Sequence, residues 1–187
     1  EALRQNPKVK AVLLTNPVYQ GFCPDIKLIS HIVHSNNGVL LVDEAQGPHF
    51  GFHPALPESA GEFADAWVQS PHKMLTSLTQ SAWLHVKGER INKNQLRSFL
   101  KIVTTTSPSY ILMASLDLAR GIIEADGKAL TEKALELADA ARRYINNFTP
   151  FYAVGAEVKG NVGIYNIDLS RLMINVSVSG YTGYEVE

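Results

Sequence analysis

The first part of the chain alternates continuous apolar runs with one segment of helical periodicity. Residues 9–15, 39–42 and 66–68 are short apolar runs that end in polar residues, as buried parallel strands do. Between the first two runs, apolar residues recur at helical spacing over residues 26–33, directly behind the capping residue Asp25. This order of strand, helix, strand, crossover and strand predicts an α/β fold with a parallel sheet and right-handed crossovers.

The second part is mainly helical. Residues 81–87 follow too closely for a crossover helix, so we expect an antiparallel strand there. Residues 92–103 form a basic amphipathic pattern, and residues 110–125 a second helix. Asp126-Gly127 is expected to separate that helix from a third, over residues 128–147.

Beyond residue 147 the pattern changes to short β-like runs at residues 162–167 and 172–178. We therefore expect a large domain over residues 1–147 and the beginning of a small C-terminal α+β domain over residues 148–187. Residues 1–5 have the pattern of a helix end, and a capping pattern begins at Thr182. We expect the sequence to be an internal piece of a longer polypeptide.

Composition excludes several classes of protein. The 187 residues are 45% hydrophobic and carry a formal net charge of −1, so no electrostatic footprint for nucleic acid or a membrane surface is present. No apolar run is long enough to span a bilayer, and no signal peptide is visible. Cys23 is the sole cysteine, which fits a reducing, cytoplasmic setting, and its turn context favours a small packing residue over a reactive thiol.

Candidate chemistry lies at the ends of two predicted neighbouring strands, where ligands of parallel sheets collect. Asp43 ends one strand, and the segment from Ser70 to Lys73 follows the other. A lysine beside His72 and among hydroxyl residues suits Schiff-base chemistry on a phosphorylated cofactor. Asp43 requires a cationic partner, which the protonated ring of pyridoxal phosphate provides, and Ala45 is small enough for that ring to lie against it.

Five stretches resemble the bacterial-type Orn/Lys/Arg decarboxylases. Residues 68–82 are similar to the pyridoxal-phosphate attachment site of that family, and residues 41–53, 84–88, 105–110 and 114–120 are similar to other parts of it. The resemblance covers nearly the whole chain. It implies part of the large domain of a fold-type I (aspartate-aminotransferase-like) enzyme, with a mostly parallel sheet flanked by helices.

The resemblance also implies roles for individual residues. Lys73 would hold the cofactor as a Schiff base and later move protons, and Asp43 would pair with the ring nitrogen. Ala45 would pack on the ring, while Ser70 and His72 would contact the phosphate or its vicinity. Lys73, His72 and Asp43 are therefore the expected catalytic residues.

Thr105 would donate to the phosphate of a neighbouring subunit, which implies an obligatory homodimer or a higher homo-oligomer. Two positions depart from the family pattern, which usually has His at Gln46 and Thr at Pro71. Pro71 lacks a backbone donor and a hydroxyl, so phosphate affinity is expected to fall. Gln46 cannot titrate and gives no acid–base assistance.

The implied activity is decarboxylation of a basic amino acid to the corresponding polyamine-pathway amine. Arginine is the expected substrate, with lysine and ornithine left open, and Glu44 is a weak candidate for binding the distal cation. The alternatives are another pyridoxal-phosphate activity, such as an aminotransferase, or a non-catalytic piece. Because such enzymes supply a phosphate-binding loop ahead of this region, we expect little turnover from the piece alone. A metal set of Asp43, His49 and His53 is disfavoured, since Gly and Pro interrupt the helix it would need.

Overall fold

The computed structural model of the chain describes residues 2–186, which form a four-stranded sheet, two short ladders and a set of helices. The strands are β1 (Ala11–Thr15), β2 (Phe22–Cys23), β3 (Val39–Asp43), β4 (Ala66–Gln69), β5 (Trp83–Val86), β6 (Tyr152–Ala153), β7 (Asn166–Ile167) and β8 (Ile174–Asn175). The helices are α1 (Ala2–Gln5), α2 (Ile26–Ser35), α3 (Pro71–Met74), α4 (Lys93–Val103), α5 (Tyr110–Phe148) and α6 (Gly183–Val186). Short 3-10 turns lie at Ala60–Glu62, Ala156–Val158 and Ser177–Ser179.

The main sheet has the order β1-β3-β4-β5, with β1, β3 and β4 parallel and β5 antiparallel. This confirms the predicted parallel α/β sheet and the predicted antiparallel strand. Thr15 pairs with Asp43, and Asp43 pairs with Val68. The carboxyl ends of three strands therefore meet at one edge of the sheet.

The two faces of this sheet differ. Leu40 and Val42 of β3 point into a buried core that includes residues of α2 and of the segment 60–64. On the other face, Leu13 is 72% exposed, and Val68 is also exposed. Because side chains alternate along a strand, Asp43 lies on this open face.

Side-chain caps explain where two of the predicted helices begin. The Asp25 carboxylate accepts a hydrogen bond from the backbone N–H of Leu28 at 2.9 Å, at the start of α2. Asn92 accepts hydrogen bonds from the backbone of Asn94 and Gln95 at the start of α4. Both caps satisfy backbone donors that the first helical turn leaves unpaired.

The predicted break at Asp126-Gly127 is wrong, because α5 runs through it as one helix of 39 residues. Gly127 is buried, and a Cβ added there would lie 3.1 Å from side-chain atoms of Ile123 and Phe52. The glycine is therefore a close-packing position within the helix. Contact with the Phe52 segment offsets the intrinsic cost of about 1 kcal/mol for glycine in a helix.

The C-terminal segment is tied to the rest of the chain. β7 pairs with β2, and β8 pairs with β6, each over two residues only. The buried Arg142 of α5 donates to the carbonyl groups of Val154, Leu169 and Arg171 at 2.9–3.1 Å. The division at residue 147 stays a prediction. No helix within residues 2–186 is both long and apolar enough to cross a membrane.

Candidate active site

All the predicted site residues except Thr105 lie around the carboxyl edge of the main sheet. Asp43 is the last residue of β3, and Lys73 lies in α3, which begins directly after Ser70 at the end of β4. Since β3 and β4 are neighbouring parallel strands, both functional groups follow adjacent strand ends. This is the position at which open parallel sheets bind ligands.

Asp43 is half-buried and only partly engaged. One oxygen, Oδ1, accepts a hydrogen bond from the backbone N–H of Ala45 at 3.0 Å. This contact folds the chain into a turn directly after the strand and places the half-buried Ala45 beside the carboxylate. Within residues 2–186 the second oxygen, Oδ2, makes no hydrogen bond to the protein, so it remains an acceptor for a ligand.

The turn after β4 carries the remaining groups. Ser70 precedes α3 without a side-chain capping bond, and Pro71 occupies the first helical position, where a missing N–H costs nothing. His72 contacts the carbonyl group of Ser81 through Nδ1 at 2.9 Å, which fixes its ring. The Lys73 side chain is exposed and forms no hydrogen bond or ion pair within the described part of the chain.

Gln46, which departs from the family pattern, has a clear structural partner. Its Oε1 accepts a hydrogen bond from Arg171 at 2.5 Å, and its carbonyl oxygen accepts a second at 3.1 Å. Arg171 also donates to the carbonyl group of Tyr19 at 3.3 Å. The C-terminal segment thus holds the loop that begins at Ala45.

Glu44 has no access to a substrate, so its suggested role in binding the distal cation is wrong. Its side chain is fully buried on the core face and accepts hydrogen bonds from the backbone of Ala60 at 2.6 Å, from Ser59 at 3.1 Å and from Gln69 at 2.6 Å. Burial raises the pKa of Glu44 to about 7, although the three hydrogen bonds favour the ionised form.

A second buried acidic group lies behind the loop. Asp168 is fully buried and contacts Nε2 of the buried His49 at 2.9 Å, while Ser170 donates to its other oxygen at 2.6 Å. Burial alone would raise the pKa of Asp168, but the hydrogen bonds from His49 and Ser170 together lower it. His53 instead contacts Glu132 of α5 at 2.6 Å. Both histidines therefore tie the loop to other segments.

A cavity of about 300 Å³ lies behind the lysine turn. It is bordered by residues 74–76, directly after Lys73, by His49 and Ser170, and by apolar side chains of α5. Asp43 and Lys73 themselves line none of the cavities described for residues 2–186. The edge of the sheet that carries Asp43 and Lys73 is therefore open, and the cavity lies next to it.

Thr105 lies apart from the other predicted site residues. It is exposed in the link between α4 and α5, where its hydroxyl accepts a hydrogen bond from the backbone of Ser107 at 3.1 Å. No hydrogen bond within residues 2–186 joins it to Asp43 or Lys73. A role for Thr105 at this edge would require another copy of the chain.

The site therefore offers three kinds of group at one open edge: a carboxylate oxygen, a free amine and a hydroxyl without a capping bond. These groups suit a ligand that has a basic ring nitrogen, a carbonyl carbon and a phosphate. Sequence reasoning missed Arg171 and Asp168, which hold the loop from distant positions in the chain. It also misassigned Glu44. Because Glu44 is an even number of residues from Leu40 and Val42, alternation along the strand would have placed it on the core face.

Comparison with known proteins shows what the chain is similar to. A family model described as "Orn/Lys/Arg decarboxylase, major domain" matches residues 1–168. An arginine decarboxylase of Bacillus subtilis is 41% identical over the whole chain, which spans 38% of that protein. Lysine decarboxylase LdcA of Pseudomonas aeruginosa is 29% identical over 76% of the chain and 21% of its own length.

Solved structures show the same fold. The Francisella novicida lysine decarboxylase LdcF superposes with a TM-score of 0.66 at 24% identity, over 84% of this chain and 25% of that one. A ureidoglycine-glyoxylate aminotransferase of Bacillus subtilis gives 0.64 at 13% identity, over 99% of this chain and 49% of that one. The fold is thus shared by decarboxylases and aminotransferases, as expected for fold-type I.

Proposed function

The chain belongs to the Orn/Lys/Arg decarboxylase family, and on that premise we propose that it forms the cofactor-binding part of a pyridoxal-phosphate-dependent decarboxylase of basic amino acids. The observation that carries the proposal is the position of Asp43 and Lys73 at the carboxyl ends of neighbouring parallel strands. The chain spans 38% of the length of the arginine decarboxylases that it matches, so other segments would complete the site.

The groups present fit pyridoxal phosphate. The free oxygen of Asp43 would hold a proton on the ring nitrogen, and the exposed amine of Lys73 would bind the cofactor carbonyl carbon. The hydroxyl of Ser70 would donate to the phosphate, and Ala45 leaves room for the ring. When bound, the cofactor supplies an electron sink for the pair released as carbon dioxide leaves.

The residues of the chain would then position and move protons. The N–H of Ala45 holds one oxygen of Asp43 in the turn after β3, which leaves the other oxygen for the ring nitrogen. The amine of Lys73 would return a proton to the substrate carbon. His72, fixed by the carbonyl group of Ser81, would line the same turn. We propose arginine as the substrate, because relatives named arginine decarboxylase are the more similar ones.

A homodimer is part of this proposal. Thr105 is exposed on a surface that also exposes the large apolar side chains of Ile102, Val103, Tyr110 and Ile111, each more than 70% accessible. Large exposed apolar side chains that lie this close together along the chain are a feature of protein interfaces. A second copy on this surface would cover it and would bring Thr105 towards the phosphate of its neighbour.

The test is a Lys73→Ala variant of the protein expressed from its complete gene. We expect visible absorbance with pyridoxal phosphate and carbon dioxide release from arginine in the wild-type protein. Both should be lost in the variant, with turnover lower by about 10²–10⁴-fold or more. Lys27→Ala, which removes an exposed amine on α2, is the matched control and should keep both. Unchanged absorbance in Lys73→Ala would exclude this lysine, and release of a keto acid instead of carbon dioxide would indicate an aminotransferase.

A further inference from the structure

A separate cavity of about 690 Å³ lies along the edge strand β5, between residues 82–85, the loop after β3 and the middle of α5. Its walls include the aromatic rings of Phe50, Phe52 and Trp83, and its polar residues include Gln69 and His85. This volume is within the usual range for sites that bind small molecules, about 300–1,000 Å³. It does not include the residues proposed to bind the cofactor.

A chain of hydrogen bonds fixes the polar part of this cavity. In its ionised form the carboxylate of Glu44 only accepts, and it accepts the bond of 2.6 Å that the amide nitrogen of Gln69, Nε2, donates. The amide oxygen of Gln69 must then accept from Nε2 of His85, at 3.0 Å. The hydrogen of the neutral imidazole is therefore on Nε2, which leaves Nδ1 of His85 as an acceptor.

His85 is held as a neutral ring. Burial lowers the pKa of His85, which favours the uncharged imidazole. The ring stacks on Trp67 with centroids 4.7 Å apart and meets Trp83 edge-on at 6.2 Å. Within the described residues, Nδ1 of His85 makes no hydrogen bond to the protein, and the ring lines the cavity.

We propose that this cavity binds a small, neutral aromatic molecule with one hydrogen-bond donor, which Nδ1 of His85 accepts. Aromatic walls favour a flat ring, because ring pairs add to the gain from apolar burial. A charged ligand is disfavoured, since the charged groups at the cavity, Arg120 and Glu124, pair with each other at 2.5 Å. The site is independent of the proposed decarboxylase chemistry, and neither Asp43 nor Lys73 lines it.

The experiment compares phenol with anisole, in which a methyl group replaces the donor hydrogen. Binding to the protein expressed from its complete gene is measured by ligand-observed NMR titration, with pyridoxal phosphate present and absent. We expect saturable binding in both conditions and a preference for phenol of about tenfold, the value of one hydrogen bond. In His85→Phe, which keeps the ring and its stacking, phenol and anisole should bind with equal affinity.

Two further variants keep the result interpretable. Ala82→Phe, which places a ring within the cavity lining, should weaken both probes and so gives a second readout if His85→Phe does not fold. His31→Phe, at an exposed position of α2, should retain the preference for phenol. The proposal is overturned if phenol shows no saturable binding, if the wild-type protein does not prefer phenol to anisole, or if His85→Phe retains the preference.

Discussion

Replacing Glu44 by glutamine tests whether a titrating carboxyl group lies inside this fold. The pKa of Glu44 is raised from 4.5 to about 7 by burial. Between these two values the folded state binds more protons than the unfolded state, so this group lowers stability as the pH rises. Each pKa unit corresponds to about 1.36 kcal/mol, so the free energy of unfolding should fall by roughly 3 kcal/mol across this interval.

Glutamine has the same shape and cannot titrate. Its oxygen can still accept from the backbone of Ala60, and its amide can donate to Gln69 if that side chain turns over. Urea unfolding of the protein from its complete gene, measured at several pH values, should therefore lose this pH-dependent decrease in Glu44→Gln. Glu58→Gln, at an exposed position, should keep the wild-type dependence. Identical pH dependence in Glu44→Gln and the wild-type protein would refute the argument.

Two other predictions concern the bonds from Arg142 to the C-terminal segment and the proposed subunit interface. Arg142→Ala leaves three carbonyl groups without their buried donor, so the free energy of unfolding should fall by about 3 kcal/mol or more. Arg143→Ala, at an exposed position, should change it by less than about 0.5 kcal/mol in the same urea titration. If Thr105 acts on a neighbouring subunit, mixing Lys73→Ala and Thr105→Ala subunits should restore decarboxylation, up to about a quarter of the wild-type rate. Activity no higher than that of the separate variants would place Thr105 in its own subunit's site or in none.

The sheet and its helix starts could be predicted because their signals are local. The apolar runs around β1, β3 and β4 and the caps Asp25 and Asn92 each lie within a few residues of the element that they define. The break expected at Gly127 failed for the opposite reason. Gly127 is closely packed against Phe52, which belongs to a segment far away in the sequence, and a local pattern carries no sign of that contact.

Asp43 and Lys73 could be predicted as a pair because parallel strands bring their carboxyl ends to one edge, so order along the chain is enough to find them. The residues that hold the loop next to this edge cannot be found from the order of the strands along the chain. His49 contacts Asp168, and Gln46 contacts Arg171, across more than a hundred residues in each case. A single sequence does not indicate which residues so far apart come into contact.

The consecutive acids Asp43 and Glu44 show how far alternation can extend the sequence argument. Since successive side chains at a strand end point to opposite faces, only one of the two can reach the open face. Leu40 and Val42 define the core face, and Glu44 has the same parity, so it must be buried with partners. Asp43 is then left as the group free to meet a ligand, while Glu44 connects through Gln69 to His85. The end of β3 therefore places one acid on the open face and the other in the core. The pH dependence of Glu44→Gln and the binding of phenol both test the buried side, and neither experiment involves Lys73.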